Sequence, residues 1–512
     1  MNSLKRILEK PGIHPFLLPV FFILHSYMQY YGLVSGRVAI TMLGTIELIF
    51  LGCFLVIWLL NRNIHKTAHI ITTCGIVALF FGVARDFISH TLRLPFLAKY
   101  IVLLPAILII TIIMVVVISR KKDFRKSNFF LNLLFIIFIV TDGILFFQAE
   151  NVSFLQQNLL VDKNRLDTHP ATASPAAPDV YYLLFDCYPG TAFLQNFMGY
   201  DNSALNDSLQ DKGFHIIGHP VSNYNRTAFS MAATLNFEYL KGIRNHVRID
   251  AKQYNQATLT IMHAAVPEYF SRQGYDVYNL SIFDIDKQPA ILRETFLNLP
   301  DKNMLLYNTL SERIKRDIGW NFAIGWTKFR GTVIDTIAIP AEVTALNIEK
   351  RGYNHTVTDS LAKIPSQKTA RPKFVYAHFY LPHPPFFYDK DGKANDLNLV
   401  LMQRSITDKE LFLSYLQYTN KVMLSLTNRI LKDSRRPPVI IIQSDHGFRD
   451  FKGGPSTPYL YFKNYSAFYF PDRDYSMLYD TMSNINTFPV LFNKYFNTRI
   501  GLQQDTSVFL AY

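Results

Sequence analysis

Five apolar segments crowd the first 150 residues, and they constrain this chain more than any other feature. They run roughly 15–34, 38–60, 69–89, 100–119 and 129–147, and each meets the length of about 20 residues that a helix needs to cross a bilayer. Lys5, Arg6 and Lys10 precede the first segment as they would in a secretory signal, but four more segments follow, so it is expected to be an anchor that is retained. Basic residues fix the expected orientation. The N-terminal tail, the second loop (Arg62, Lys66) and the fourth loop (Arg120, Lys121, Lys122, Arg125, Lys126) are basic, whereas the first and third loops carry only Arg37, Arg93 and Lys99. The positive-inside rule then puts the N-terminus in the cytoplasm, and five spans deliver everything after residue 150 to the outer side.

Charge distribution supports the same division. The 512 residues have a formal net charge of +13, of which residues 1–149, with 14 Lys+Arg and 5 Asp+Glu, hold +9. A basic excess concentrated in apolar sequence points to membrane topology, not to a nucleic-acid partner. The three cysteines, Cys53, Cys74 and Cys187, form no disulfide framework. Glu47, Arg85, Asp86 and Asp142 lie within or at the ends of the spans, where charge is costly and normally paired. They are expected to form ion pairs between helices; a polar handle for a lipid head group is the alternative. Residues 150–178, with a run rich in Pro, Ala and small polar residues at 168–178, have linker composition. The expected organisation is a five-span membrane domain over 1–149, a linker over 150–178 and an extracytoplasmic domain over 179–500.

From about residue 179 the pattern alternates. Strands are expected at Val180–Phe185, Val277–Leu280, Phe374–His378 and Val439–Gln443, with helical stretches such as 229–243 and 410–432 between them. Such alternation predicts an α/β domain with a mostly parallel central sheet. Ser444-Asp445-His446-Gly447 follows the apolar run Val439–Ile442, so the Asp445 and His446 side chains are expected at the C-terminal tip of a buried strand, where open α/β sheets bind ligands. An adjacent carboxylate and imidazole can share one divalent metal. Asp186 ends the first strand just before Cys187-Tyr188-Pro189-Gly190, either as a turn former or at the same sheet edge. Thr227 stands before a run of helix formers, where a hydroxyl serves as an N-cap or faces an anionic ester. His378 and His383 flank a proline-stiffened turn after another strand, and Ser281–Asp284, which follows a fourth, is expected to line the pocket from its place after that strand.

Together these pieces resemble the alkaline phosphatase/sulfatase superfamily, and most of all its membrane-anchored branch, the phosphoethanolamine transferases and lipoteichoic acid synthases. The resemblance implies five spans and a sulfatase-like extracytoplasmic domain. It makes Asp186, Thr227, Asp445 and His446 the ligands of one divalent metal, zinc or manganese, and Thr227 also the nucleophile. It makes His378 and His383 contacts to the substrate or to a second metal. Coordination would lower the pKa of the Thr227 hydroxyl and neutralise charge on the transferred group.

The chain also departs from these patterns. Cys187-Tyr188-Pro189-Gly190-Thr191 has Thr191 where the formylglycine motif of sulfatases requires Arg, and it directly follows the first expected ligand, so it reads as a turn. The disulfides and the further histidine of the phosphoethanolamine transferases have no counterpart; residues 447–512 contain no His. The expected function is transfer of a phospho-linked group, phosphoethanolamine-like or glycerol phosphate-like, from a membrane lipid donor to an envelope lipid or glycan acceptor. It would take place at a bacterial-type inner membrane, through a covalent Thr227 ester. The alternatives are a hydrolase of phosphate or sulfate esters and a non-catalytic envelope protein.

Overall fold

The computed structural model describes residues 9, 12–31, 34–148, 159–162, 177–286, 288–293, 301–318, 341–396, 400, 409–448 and 458–511. The expected 150–178 linker lies almost wholly outside them. Residue contacts divide the chain into two units, residues 1–157 with 295–337, and residues 158–294 with 338–512. Residues 295–337, which the sequence reading counted in the extracytoplasmic domain, group with the N-terminal unit.

The first unit contains helices α1 (His14–Gln29), α2 (Gly36–Asn61), α3 (Ile64–Asp86), α4 (Tyr100–Arg120) and α5 (Arg125–Gln148). Four of its helical stretches, Gly36–Asn61, Ile64–Ser89, Tyr100–Arg120 and Arg125–Gln148, are long and apolar enough to cross a membrane. The fifth expected span is the exception. Where residues 15–34 were expected to cross, α1 has 16 residues, several fewer than the roughly 20 that a span requires. Pro15 sits in its first turn, and at its other end the Tyr30 N–H closes on the Ser26 and Tyr27 carbonyls. Caps set the other boundaries: Ser35 accepts from the Val38 N–H at the start of α2, and the Asn63 side chain accepts from the His65 and Lys66 N–H groups at the start of α3.

Helix α1 is the buried member of this unit, packed on α2, α3 and α5 through Leu18, Phe22 and Ile23. The outer helices expose Leu48, Ile49, Leu60, Ile101, Ile109 and Phe147, as helices do whose outer surface is solvated by lipid. Of the charges within the spans, Asp142, Arg85 and Asp86 pair, in two ways, whereas Glu47 makes no ion pair among the described residues. Asp142 faces His25 of α1, with the Nδ1–Oδ2 distance 3.2 Å. Arg85 and Asp86 meet the short helix Leu310–Asp317: Arg313 Nη1 donates to Asp86 Oδ1 at 3.2 Å, Arg85 Nη1 lies 3.6 Å from Asp317 Oδ2, and the Tyr100 hydroxyl donates to Asp317 at 2.5 Å. Gly82 permits this approach. Its N–H donates to the Asn308 carbonyl at 2.8 Å, and a Cβ there would stand 2.9 Å from Asn308 Cα.

The second unit is built on a six-stranded sheet. Its strands are β1 (Asp179–Phe185), β2 (His215–Ile216), β4 (Asp276–Leu280), β5 (Lys373–Phe379), β6 (Pro438–Gln443) and β7 (Ser466–Tyr469); β3 (Val247–Arg248) and β8 (Leu510–Ala511) form a separate pair. The order β2-β7-β6-β1-β5-β4 places β1 at the centre, parallel to β5 and β6, with β4 parallel to β5; only the pairings of β7 are antiparallel. The mostly parallel sheet is as expected, and all four expected strands are present. Every residue of β1, β5 and β6 is buried, which is why these strands read as continuous apolar runs without alternation. The helix that bears on the site is α6 (Thr227–Thr234). Helix α6 stops well short of the expected 243. Asn236 folds back to donate to the Ala232 carbonyl at 2.8 Å, and Phe237 takes a left-handed φ of 42° that no helix continues through.

Candidate active site

Central strands β1 and β6 are in register, Leu184 opposite Gln443, so the residues that follow them leave the sheet side by side. Asp186 follows β1, and Asp445 and His446 follow β6; all three side chains are buried. One carboxylate oxygen from each Asp and one ring nitrogen of His446 lie within 4.8 Å of one another. His446 Nε2 is 3.1 Å from Asp445 Oδ2 and 3.9 Å from Asp186 Oδ1. Thr227 is the first residue of α6, with Arg226 in the cap position, and its Oγ1 is 3.3 Å from His446 Nε2. The hydroxyl is therefore directed at the Asp/His group and is not the N-cap. Helix α6 is held there by Ser230, whose hydroxyl donates to the Asp445 carbonyl at 2.6 Å.

The turn after β6 is locked from several sides. Ser444 Oγ accepts from the Tyr188 N–H at 2.9 Å and donates to the His446 carbonyl at 2.7 Å. The Asn464 and Asn484 amides both donate to the Ser444 carbonyl, at 2.6 and 2.9 Å. Gly447 passes against another backbone segment, where a Cβ would stand 2.5 Å from the Lys463 carbonyl oxygen. None of these supports was foreseen except the glycine-closed turn itself, because the partners lie far away in sequence.

His378, at the end of β5, is buried, with Nε2 3.8 Å from Asp186 Oδ2 and Nδ1 3.1 Å from the Tyr376 hydroxyl. Burial, and then the neighbouring Tyr182, push the Tyr376 phenol well above its ordinary range, so it remains a hydroxyl. His383 is half-buried, its Nδ1 2.5 Å from the Pro384 carbonyl, and one of its ring nitrogens is within 4.8 Å of an Asp186 oxygen. All six expected site residues therefore lie at one end of the sheet. Of the expected Ser281–Asp284 lining, the Phe283 ring packs 6.1 Å from that of His378, whereas Asp284 pairs with Arg293 at 2.5 Å.

Cys187 was missed. The segment is a turn, as its sequence suggests, but the thiol is buried with Sγ 3.5 Å from His446 Nδ1 and within 4.8 Å of donor atoms of Asp186 and His383. Its only signal in sequence was adjacency to Asp186. Thr191 takes no part in this cluster; it opens a helix and accepts from the Asn206 amide at 3.1 Å.

The group has the character of a cation site. Burial tends to raise the Asp186 carboxyl, and His383, His378 and His446 more than reverse this, holding it far below the usual carboxylate range. The His446 Nδ1 proton is committed to the Gly447 carbonyl at 2.9 Å. The lone pair of a neutral ring then points from Nε2 at the Asp445 and Asp186 carboxylates, acceptor facing acceptor, while the Thr227 hydroxyl can donate to it. Asp186 Oδ1 and His378 Nε2 are buried with no hydrogen-bond partner among the described residues. The 3.1 and 3.3 Å separations around Nε2 match the roughly 3.3 Å between donors on a tetrahedral ion with bonds of about 2.0 Å. Two carboxylates, an imidazole and a hydroxyl thus fit a divalent metal.

Several solved structures are similar to this chain. The C-terminal periplasmic domain of EptC from Escherichia coli matches at 10% identity with a TM-score of 0.37, covering 66% of this chain and 90% of that one. The corresponding domain of the phosphoethanolamine transferase EptC from Campylobacter jejuni matches at 11% and 0.34, covering 65% and 95%. A phosphonate monoester hydrolase of Agrobacterium radiobacter matches at 15% and 0.34, covering 62% and 74%. No curated protein matches. The Sulfatase family model matches residues 199–465, more than half of the chain and a range that takes in Thr227, His378, His383, Asp445 and His446. This protein, a membrane-helix unit joined to a buried Asp/His/Thr centre on a mostly parallel sheet, belongs to the sulfatase family within the alkaline phosphatase/sulfatase superfamily and is an enzyme.

Proposed function

We propose that the protein is a membrane-anchored, metal-dependent transferase. It moves a phospho-linked group from a lipid donor to an envelope lipid or glycan through a covalent ester on Thr227. The observation that carries this reading is the Thr227 hydroxyl, 3.3 Å from His446 Nε2 in the buried Asp186/Asp445/His446 group. Asp186, Asp445, His446 and Thr227 would hold one divalent cation, zinc or manganese. Bound there, it would lower the pKa of the hydroxyl and offset charge on the transferred group.

The chain's own residues do the rest. Helix α6 holds Thr227 with its Oγ1 aimed into the centre. Thr227 Oγ1 attacks phosphorus and the bond to the lipid oxygen breaks; an acceptor hydroxyl then takes the group from Thr227. His378 and His383 contact the transferred group. The four apolar helices keep the enzyme at its lipid donor, and a soluble substrate would need no more than one. In the same reading the segment 15–34, of which the 16-residue α1 is the helical part, makes the fifth crossing, the N-terminus is cytoplasmic and residues after 150 are extracytoplasmic.

The test is intact mass of the full-length protein after incubation with native envelope lipids, beside Thr227→Ala. An adduct on the wild type alone, about 123 Da for phosphoethanolamine or about 154 Da for glycerol phosphate on a threonine nucleophile, is the expected result. Release of product with water as sole acceptor would make the enzyme a hydrolase. Wild-type behaviour of Thr227→Ala at normal abundance would end the catalytic assignment of this residue.

A further inference from the structure

We propose that Cys187 is a metal ligand: its sulfur, an Asp186 oxygen and a His383 ring nitrogen form a position for a soft divalent cation, zinc, beside the Asp186/Asp445/His446 group. The inference rests on the metal reading of this site proposed above, and goes beyond it in naming a sulfur donor and thereby the ion.

Four observations carry it. The three donor atoms lie within 4.8 Å of one another, with Asp186 and Cys187 buried and His383 half-buried. Asp186 belongs to both groups; its Oδ1, 3.9 Å from His446 Nε2, has no hydrogen-bond partner among the described residues, and the carboxylate has a second oxygen to share. Cys187 holds a left-handed φ of 63°, a conformation that is costly for a residue with a side chain and that collects at functional sites. Its N–H is tied to Asp445 Oδ1 at 3.1 Å. In an extended strand consecutive side chains point to opposite faces; this turn instead brings those of Asp186 and Cys187 to one centre. Finally, Cys187 is in no disulfide, and the other two cysteines lie on α2 and α3 of the membrane unit.

The chemistry distinguishes the two groups. Carboxylate, hydroxyl and imidazole donors accept manganese and zinc alike, whereas a thiolate favours zinc and disfavours manganese and magnesium. His383 then meets the transferred group through its place beside the cation.

The test uses the full-length protein in detergent, stripped with a chelator and titrated with Co²⁺. The expected result is a near-ultraviolet sulfur-to-cobalt charge-transfer band in the wild type. Cys187→Ser should lose that band, keep visible d–d bands from cobalt on Asp186, Asp445 and His446, and bind one cobalt fewer per chain. A Cys53→Ala/Cys74→Ala double variant should retain the band, which assigns the sulfur even if Cys187→Ser does not fold. Wild-type d–d bands without charge transfer would overturn the thiolate ligand, reduce Cys187 to a neighbour of His446, and leave the proposed function standing. Failure of the wild type to bind cobalt would overturn both.

Discussion

Asp445 and His446 owe their geometry to side chains that never reach the centre. Ser444 is the clearest case, because its hydroxyl joins the Tyr188 N–H to the His446 carbonyl. Ser444→Ala removes that bridge and leaves the buried Tyr188 N–H unsatisfied, at a cost of about 1–3 kcal/mol. The looser turn is expected to weaken metal binding by roughly 10- to 100-fold. Chelator competition on the folded variant measures the second effect; unchanged affinity would show that the turn is held by Asn464 and Asn484 alone. At this scale much was legible. Asp186, Thr227, His378, His383, Asp445 and His446 were all marked by strand ends or helix starts. Cys187 was not, since one Cys in a Pro-Gly turn is a common structural feature until its neighbours in space are known. Thr227 was ambiguous for a similar reason: an N-cap and an N1 hydroxyl differ by one residue in a boundary that sequence cannot place to that accuracy.

Among the elements, β1 carries most of the architecture. It is central, fully buried and hydrogen-bonded to β5 on one side and β6 on the other, so it brings Asp186 beside both His378 and Asp445. Leu183 has no solvent exposure, and Leu183→Ala is expected to destabilise this unit by about 2–5 kcal/mol, part transfer and part cavity. Pulse proteolysis in denaturant reads that loss. A change below about 0.5 kcal/mol, typical of surface positions, would mean that β1 is not the packed centre of the sheet. The strands β1, β5 and β6 were readable because burial on both faces leaves each a mainly apolar run; β4, a half-buried edge strand, was readable from the short stretch Val277–Leu280. Strand β7 and the two-residue β2 were not, being short and lacking such a run. The extent of α6 was overestimated because 229–243 contains no proline, and its end is set by the Asn236 back-bond and the left-handed Phe237.

For the whole molecule, a metal that binds only the folded centre must also stabilise the fold. Chelation is expected to lower the melting temperature of the second unit, and zinc at 100-fold over its dissociation constant to restore about 2.7 kcal/mol. Cys187→Ser should shift the relative protection by manganese and zinc towards manganese. A melting temperature indifferent to chelator and zinc would remove the metal from the account. The division into apolar and α/β halves was plain in sequence, because a bilayer demands long apolar helices and a parallel sheet demands short apolar strands. Both patterns are local, and so are the turn residues that put acids, histidines and a threonine at element ends. Three features were decided only by tertiary structure. Residues 301–318 return to the membrane unit through Asp86, Arg313 and Asp317. Helix α1 is the buried one of its bundle. The Cys187 sulfur stands against His446 and Asp186. Each depends on which distant residue a side chain meets, and that follows from strand order and helix packing, which no local pattern encodes.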